Sequence, residues 1–318
     1  MMKQVELTSI KYDLLAVGEL LVDLIGEKKG VSLQDNERFV KYAGGSPANL
    51  ASNLAKLGKS AALVACVGKD GLGRFLKEEL NKAGVMGHVS THETLPTSMV
   101  LTTRSTETPD FIAYRSADPY LPESELSDEI LSQTKIFHTT CFALSRSPAR
   151  EIILEAAQRA HQLGVKLSID LNYAPEIWPE RKEAQEIISH YCQWNPLIKM
   201  SEVDAKRIFA RQGRHQLAGV NHLKKAGAAL ICMTLGKEGS RIFASRPERI
   251  IEVPVPPVSE VADSTGAGDA YWAGFLCAWI DQKDLEICAQ AGSRLAAFKV
   301  QTFGPLPKEK EYRIYEDE

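Results

Sequence analysis

The sequence predicts an α/β fold with a mostly parallel central sheet, helices on its faces and a small additional sheet. Three observations lead there. Short apolar runs recur along the chain and alternate with amphipathic stretches long enough to be helices. Several of those helical stretches have legible ends. Two segments break the rhythm with short alternating polar and apolar runs. Strands that alternate with helices over most of a chain belong to a parallel sheet covered on both faces. Right-handed crossovers then bring the strand carboxyl ends to one edge, where ligands bind.

Taken in order, residues 13–25 (DLLAVGELLVDLI) read as a strand interrupted at Gly18-Glu19. Residues 61–67, 135–139, 166–171, 197–200 and 229–234 are further short apolar strands. Ser46 is an expected N-cap with Pro47 in the first helical position and Gly58 beyond the last turn; Ser147, Pro148 and Gly164 repeat the pattern. Residues 26–43 and 92–121 hold the alternating runs 38–42, 98–102 and 111–114, which suit a small antiparallel sheet inserted in the α/β body. At about 150 residues per domain the 318-residue length would suit two domains. The alternation runs through without a linker or repeat, so one domain spanning 1–318 is expected.

Thirty-eight Lys and Arg against 41 Asp and Glu leave a charge of −3, which gives the whole chain no attraction to nucleic acid or acidic membranes. The six cysteines lie at 66, 141, 192, 232, 277 and 288 with no CxxC pair, mostly in apolar runs; they read as small buried residues rather than a disulfide or zinc framework. The amino terminus has no apolar leader core, and no stretch of about 18 apolar residues occurs, so a cytoplasmic protein is expected. The acidic end, Tyr-Glu-Asp-Glu, reads as solvated.

The sharpest chemical segment is Asp263-Ser264-Thr265-Gly266-Ala267-Gly268-Asp269, which opens an apolar helix. The first N–H groups of a helix have no intrahelical partner and the dipole is positive there, so Gly266, Ala267 and Gly268 offer an anion cradle suited to phosphate. Asp269 beside it is either a helix-start stabiliser or a base next to a transferring phosphoryl group. A Walker GxxxxGK[ST] loop is absent. The GxGxxG pattern fails at Tyr271, and the preceding Val-Pro-Val-Pro-Pro-Val is a poor central strand, which disfavours a dinucleotide fold. Gly44 and Gly45 before the helix at Ser46 allow close backbone approach to a small ligand, with Asn49 a turn further on; a plain turn and a helix-face Asn would look the same. Asp23 interrupts an apolar run, where a buried charge is costly unless hydrogen-bonded; it either grips hydroxyls or faces solvent. Thr234-Leu235-Gly236-Lys237-Glu238-Gly239 is a turn after an apolar strand.

In combination and order these segments resemble the ribokinase-like (PfkB) family of carbohydrate kinases. The likeness implies a three-layer ribokinase-like fold with a β-sheet lid at about 26–43 and 92–121. It makes Asp269 the catalytic base, and the amides of Gly266, Ala267 and Gly268 its anion hole. It gives Asp23, Gly44, Gly45, Asn49 and Arg115 to the sugar, and Lys199, Ser201, Thr234, Gly236 and Gly239 to the nucleotide. Tyr114-Arg115-Ser116-Ala117-Asp118 and Asp170-Leu-Asn172-Tyr-Ala174-Pro-Glu-Ile-Trp178 are similar to stretches of fructokinases and 5-dehydro-2-deoxygluconokinases, with Ala174 where those carry Arg; Arg115 is the cation expected to replace it. Ser201-Glu202-Val203-Asp204 stands for the family's NxxE, so Asp204 is expected to reach magnesium through water. Asp263, Thr265 and Gly304 match the monovalent-cation site, which implies potassium activation. The resemblance thus implies ATP-dependent phosphorylation of a primary hydroxyl with ATP and Mg2+, fructose first. Then come 5-dehydro-2-deoxygluconate or 2-keto-3-deoxygluconate, then ribose. A non-catalytic sugar sensor is the alternative from another class. Exposed lid edges suit a homodimer.

Overall fold

The computed structural model describes residues 9–105, 110–209, 216–307 and 311–315. The amino-terminal eight residues, 106–109 of the expected lid and the last three residues of the acidic tail lie outside the described residues.

Thirteen strands are described: β1 (Tyr12–Val17), β2 (Leu21–Lys29), β3 (Phe39–Gly44), β4 (Ala61–Gly68), β5 (Met86–His92), β6 (Met99–Arg104), β7 (Phe111–Tyr114), β8 (Thr134–Thr140), β9 (Lys166–Asp170), β10 (Leu197–Ser201), β11 (Leu230–Thr234), β12 (Ser240–Ser245) and β13 (Glu248–Val253). The helices are α1 (Ser46–Lys56), α2 (Gly71–Ala83), α3 (Asp128–Ser132), α4 (Ala149–Gln162), α5 (Arg181–Cys192), α6 (Glu202–Phe209), α7 (Gln216–Ala226), α8 (Ala267–Ile280) and α9 (Leu285–Val300).

Nine strands form the central sheet in the order β13-β12-β11-β10-β9-β8-β1-β4-β5. It is parallel from β11 to β5, and β12 and β13 add an antiparallel edge. The parallel strands are apolar on both faces, as burial under helices on each side requires: β4 is buried at every residue. One core lies between the sheet and α4 to α7, and includes Phe137, Trp178 and Tyr191. The other lies under α1, α2, α8 and α9, around Trp272 and Phe275. Helix, sheet and helix make the three layers.

The expected broken strand at 13–25 is two strands in two sheets: β1 is central, whereas β2 leaves at Leu21 for the small sheet, ordered β3-β2-β6-β7. The outer pairings of that sheet are antiparallel. Its middle pairing, β2 with β6, is parallel, because the chain passes through α1, β4, α2 and β5 between them, and such long excursions join parallel neighbours. The hairpin β12–β13 and the edge strand β5 were not expected as strands; β5 and β13 are polar and half-exposed, and the buried apolar run of β12 is only Ile242–Ala244.

The helix starts also differ from expectation. Gly45, at φ 100°, is the N-cap of α1, and Ser46 is already helical. Pro148 caps α4 without a side-chain bond, while Ser147 donates to Glu151 at 2.8 Å. Gly58 and Gly164 do end their helices at positive φ. Helix α8 is apolar around its whole circumference and is buried from Ala270 to Ala278. It crosses α9 closely because Gly274 lies on the Ala291–Gly292 backbone, where a Cβ would come within 2.9 Å of the Gly292 Cα. All six cysteines are free and buried. Among the described residues no helix is long and apolar enough to cross a membrane.

Trp272, 1% exposed, stacks on Phe275 at 4.8 Å and donates from Nε1 to Ser168 Oγ at 2.9 Å, joining α8 to the sheet. Trp272→Ala is expected to cost about 3–5 kcal/mol of unfolding free energy, read from the denaturant midpoint; a loss below about 1 kcal/mol would show that α8 is not anchored there.

Candidate active site

From β1 the sheet grows one way to β4 and β5 and the other way to β8 and beyond, so the switch point lies between β1 and β8. A crevice opens outside the strand carboxyl ends at such a point. Glu19 follows β1 and Thr140 ends β8, and Thr140 Oγ1 donates to Glu19 Oε2 at 3.0 Å. Glu19 also accepts from the Ser46 amide at 3.2 Å. Burial pushes Glu19 up to about 8. Its backbone carbonyl occupies the place of any side chain at Gly45, so Gly45 is required both by contact and by its positive φ.

Asp269, the expected base, stands half-buried in the first turn of α8. Ser46 Oγ donates to its Oδ1 at 2.6 Å and Asn49 Nδ2 to its Oδ2 at 2.9 Å. Loss of solvent pushes this carboxyl above its ordinary range, against the Ser46 and Asn49 bonds and the charges of Lys199 and Lys299. Ser46 was expected only as a helix cap. In the structure Gly45 occupies the cap position, and the Ser46 hydroxyl, three residues before Asn49 on the same helical face, is turned to the base.

Gly266, at φ 75°, caps α8 without a side-chain bond. The Ala267 amide donates to the Ser264 carbonyl at 3.1 Å, closing a turn. Among the described residues no hydrogen bond engages the amides of Gly266 and Gly268, so the open part of the expected three-amide cradle is these two. Lys199, on β10, lies under it: a Cβ on Gly268 would fall 2.6 Å from its Nζ. Lys199 donates to Asp170 Oδ2 at 2.9 Å and is 5% exposed. Burial favours its neutral form, but the carboxylates of Asp170, Asp204 and Asp269 outweigh that and keep it protonated.

Ser201 and Asp204 form a reciprocal cap at the start of α6: Ser201 Oγ accepts from the Asp204 amide at 3.0 Å, and Asp204 Oδ2 accepts from the Ser201 amide at 2.7 Å and hydroxyl at 2.6 Å. Asp204 Oδ1 accepts from the Tyr173 amide at 2.9 Å. Both oxygens are therefore engaged in holding loops. Thr234 ends β11, and the turn beyond it is closed by Leu235 donating to the Gly239 carbonyl at 2.8 Å, with Gly236 and Gly239 at positive φ.

On the small sheet, Asp23 lies over Gly44, where its carboxylate fills the place of a side chain. Burial, with the nearby Asp269 and Asp263 charges, pushes Asp23 up to about 7. Arg115 is not the free cation the sequence suggested. Its side chain is 2% exposed and donates twice to Asp118 Oδ2, at 2.9 and 2.6 Å, and to the Phe142 carbonyl at 3.0 Å, while stacking on the Phe142 ring. Asp118, only part of a quoted motif in the sequence, neutralises it.

Asp263, Thr265, Gly304 and Lys299 share one wall of a cavity of about 520 Å3 that also reaches Asp23 and Asn49. Lys41, Phe75 and Gly266 also line this cavity, so it takes in residues of the small sheet, α2 and the start of α8, whereas Lys199 and Thr234 do not line it. The small sheet is fastened to the loop before α8: Lys29 Nζ donates to the Val261 carbonyl at 2.7 Å, Arg104 Nε to the Ala262 carbonyl at 3.2 Å, and Ser264 Oγ to the Ser105 carbonyl at 2.9 Å.

A family model described as pfkB family carbohydrate kinase matches residues 11–311. The chain belongs to that family. This pfkB-family chain is 36% identical over 299 residues to a protein of Thermoanaerobacterium thermosaccharolyticum named ATP-dependent 6-phosphofructokinase, covering 93% of this chain and 90% of that one. It is 31% identical over 295 residues to a 5-dehydro-2-deoxygluconokinase of Lacticaseibacillus casei, covering 91% and 90%. Among solved structures, the fructokinase of Halothermothrix orenii superposes with a TM-score of 0.74 at 31% identity over 88% of this chain and 96% of that one.

Gly268→Val would displace the Lys199 ammonium and close the amide cradle of this kinase. Turnover at saturating substrates is expected to fall at least about 10²-fold; near-normal turnover would mean that no phosphoryl group approaches that amide.

Proposed function

We propose that this protein is an ATP-dependent kinase, acting in the cytoplasm, that phosphorylates a primary hydroxyl of a neutral ketose, fructose first. The observation that carries this is the Asp269 carboxylate, held by Ser46 and Asn49 beside the open amides of Gly266 and Gly268. A base and an anion cradle at one helix start are what phosphoryl transfer to a hydroxyl needs. Asp23 and Asn49 hold the sugar hydroxyls against the Gly44–Gly45 backbone. The nucleotide lies along the strand ends toward Thr234 and Gly236.

The hydroxyl oxygen attacks the γ-phosphorus in line. The bond from γ-phosphorus to the β,γ-bridging oxygen breaks, ADP leaves, and the hydroxyl proton passes to Asp269. The amides of Gly266 and Gly268 and the Lys199 ammonium receive the charge of the moving phosphoryl group. A magnesium ion would arrive with the nucleotide, and Asp204 Oδ1, which accepts a single bond from the Tyr173 amide, would be the oxygen left to hold a water on it. When bound, magnesium supplies charge neutralisation on the phosphate oxygens.

The sugar's charge follows from Arg115. With its guanidinium neutralised by Asp118, and Ala174 in place of an arginine, neither position offers a free cation to a substrate carboxylate. That favours ketoses over ketogluconates, in keeping with the likeness to the Halothermothrix orenii fructokinase. A second reading, fructose 6-phosphate, is favoured by the 36% identity to the protein named 6-phosphofructokinase; exposed Arg146, which donates to the Arg115 carbonyl, is one cation that would serve its phosphate. We also infer a homodimer through the small sheet, whose edge strand β7 exposes Ile112 and Tyr114.

An ATP-consumption screen over fructose, fructose 6-phosphate, ribose, nucleosides and ketogluconates tests the reading. Fructose is expected to give the highest kcat/KM; sugar binding without turnover of any of them would make the protein a sensor. Asp269→Asn is expected to lower kcat at least about 10²-fold while sugar affinity is kept. Near-normal turnover in that variant would remove Asp269 from the chemistry. Asp23, raised to about 7, is neutral below that pH and ionised above it, and the ionised form is the better acceptor for sugar hydroxyls. The KM for the sugar should therefore fall as pH rises from about 6 to 8, approaching tenfold per unit at the acid end, and flatten in Asp23→Asn. A KM independent of pH in the native protein would contradict this.

A further inference from the structure

The monovalent-cation site implied by the family resemblance falls on Asp263, Thr265 and Gly304, and the structure gathers these beside the loop that enters α8. Two buried oxygens there, Asp263 Oδ2 and Thr265 Oγ1, have no hydrogen-bond partner among the described residues, and a cation of the chain's own already stands beside the first. Lys299, in the last turn of α9, turns its ammonium into the same space with only 5% of its side chain exposed. Its Nζ donates to the Thr302 carbonyl at 3.2 Å and lies 3.7 Å from Asp263 Oδ2. Asp263 is fully buried; the Thr265 amide bonds its Oδ1 at 3.1 Å, while Oδ2 has no hydrogen-bond donor among the described residues. A buried carboxylate oxygen in that state needs a cation beside it, and the ammonium meets that need. The ammonium, 3.7 Å from that oxygen, also repels a second positive charge brought to it.

The rest of the loop confirms what this ammonium acts on. The amides of Ala262 and Asp263 both donate to the Val300 carbonyl, at 2.7 and 3.2 Å, so the end of α9 grips the backbone on either side of the ion pair. A Cβ on Gly266 would stand 3.6 Å from Lys299 Cε, which places the side chain directly behind the amide cradle. We propose that Lys299 is a built-in monovalent cation: it takes the place of potassium, neutralises Asp263 and positions the 263–266 loop, so that this kinase works without an alkali activator. Lys299 acts through Asp263 and Gly266 and is a positioning residue.

The inference rests on the kinase reading only for its turnover measurements; the thermal measurements stand without it. Native protein is assayed, and its melting temperature recorded, in potassium, ammonium or tetramethylammonium chloride at equal ionic strength. Turnover and melting temperature are expected to be the same in all three. A native turnover about tenfold or more higher in potassium, or a melting temperature raised by potassium, would overturn the proposal. Lys299→Ala, which reopens the space to the neighbouring cavity, is expected to lose at least about tenfold in kcat and to melt lower. Potassium or ammonium should restore part of both losses, and tetramethylammonium, too large to enter, neither. A variant equal to native in both measurements, or one that no small cation restores, would contradict the role. Should Lys299→Ala fail to fold, the native cation series decides alone. If no sugar is phosphorylated, the kinase reading fails and the melting temperatures still test the lysine.

Discussion

The carboxylate of Asp269 is the point on which the two ends of the chain meet. Its own helix, α8, begins near residue 267, while its two donors, Ser46 and Asn49, lie on α1. A carboxylate with restricted solvent is costly unless donors replace the lost water. The hydroxyl and the amide do so, and they fix the direction in which the remaining lone pairs point. The apolar circumference of α8 and the Gly274–Gly292 crossing with α9 then hold the helix start still. A base on a rigid element can be placed to within fractions of an ångström, whereas one on a loop cannot.

The same contact ties the small sheet to the chemistry. Strand β3 runs straight into α1 through Gly44 and Gly45, so Ser46 is joined directly to the sheet. From the other side, Lys29, Arg104 and the Ser105 carbonyl hold the loop that leads into Asp269. The small sheet is therefore tied to Asp269 from both directions. The charges are sorted: Lys199 and Lys299 are buried beside the helix start, and Asp23 and Asp269 lie near each other across the small sheet and α8. Arg115 is neutralised by Asp118 and is not a free cation.

The alternation of apolar runs made the parallel body legible, since strands buried on both faces have no other way to be written. The strands at 61–68, 134–140, 166–170, 197–201 and 230–234 lie within a residue or two of their expected bounds. The edge strands β13 and β5 were not legible because edge strands need no apolar run, and the apolar run of β12 is only three residues long. The glycines at 44, 45 and 268 announced close backbone approach, and each meets a side chain or carbonyl that a Cβ would strike, whereas Gly266 is called for by its φ of 75° alone. What pairing decides was hidden. Ser46 reads as a cap until Gly45 takes that place. Arg115 reads as a free cation until Asp118 is folded against it. Lys299 reads as one more helix lysine until the fold buries it on Asp263. Such roles are set by partners far along the chain, to which local spacing is blind.

A double-mutant cycle between Ser46 and Asp269 tests the central contact most directly, read in single-turnover phosphorylation of the preferred sugar. If the hydroxyl acts by holding the base, Ser46→Ala slows the native protein but has little further effect in the Asp269→Asn background, a coupling of about 0.5–3 kcal/mol. Strictly additive losses would mean that Ser46 and Asp269 work independently, and the α1–α8 contact would not be what positions the reaction.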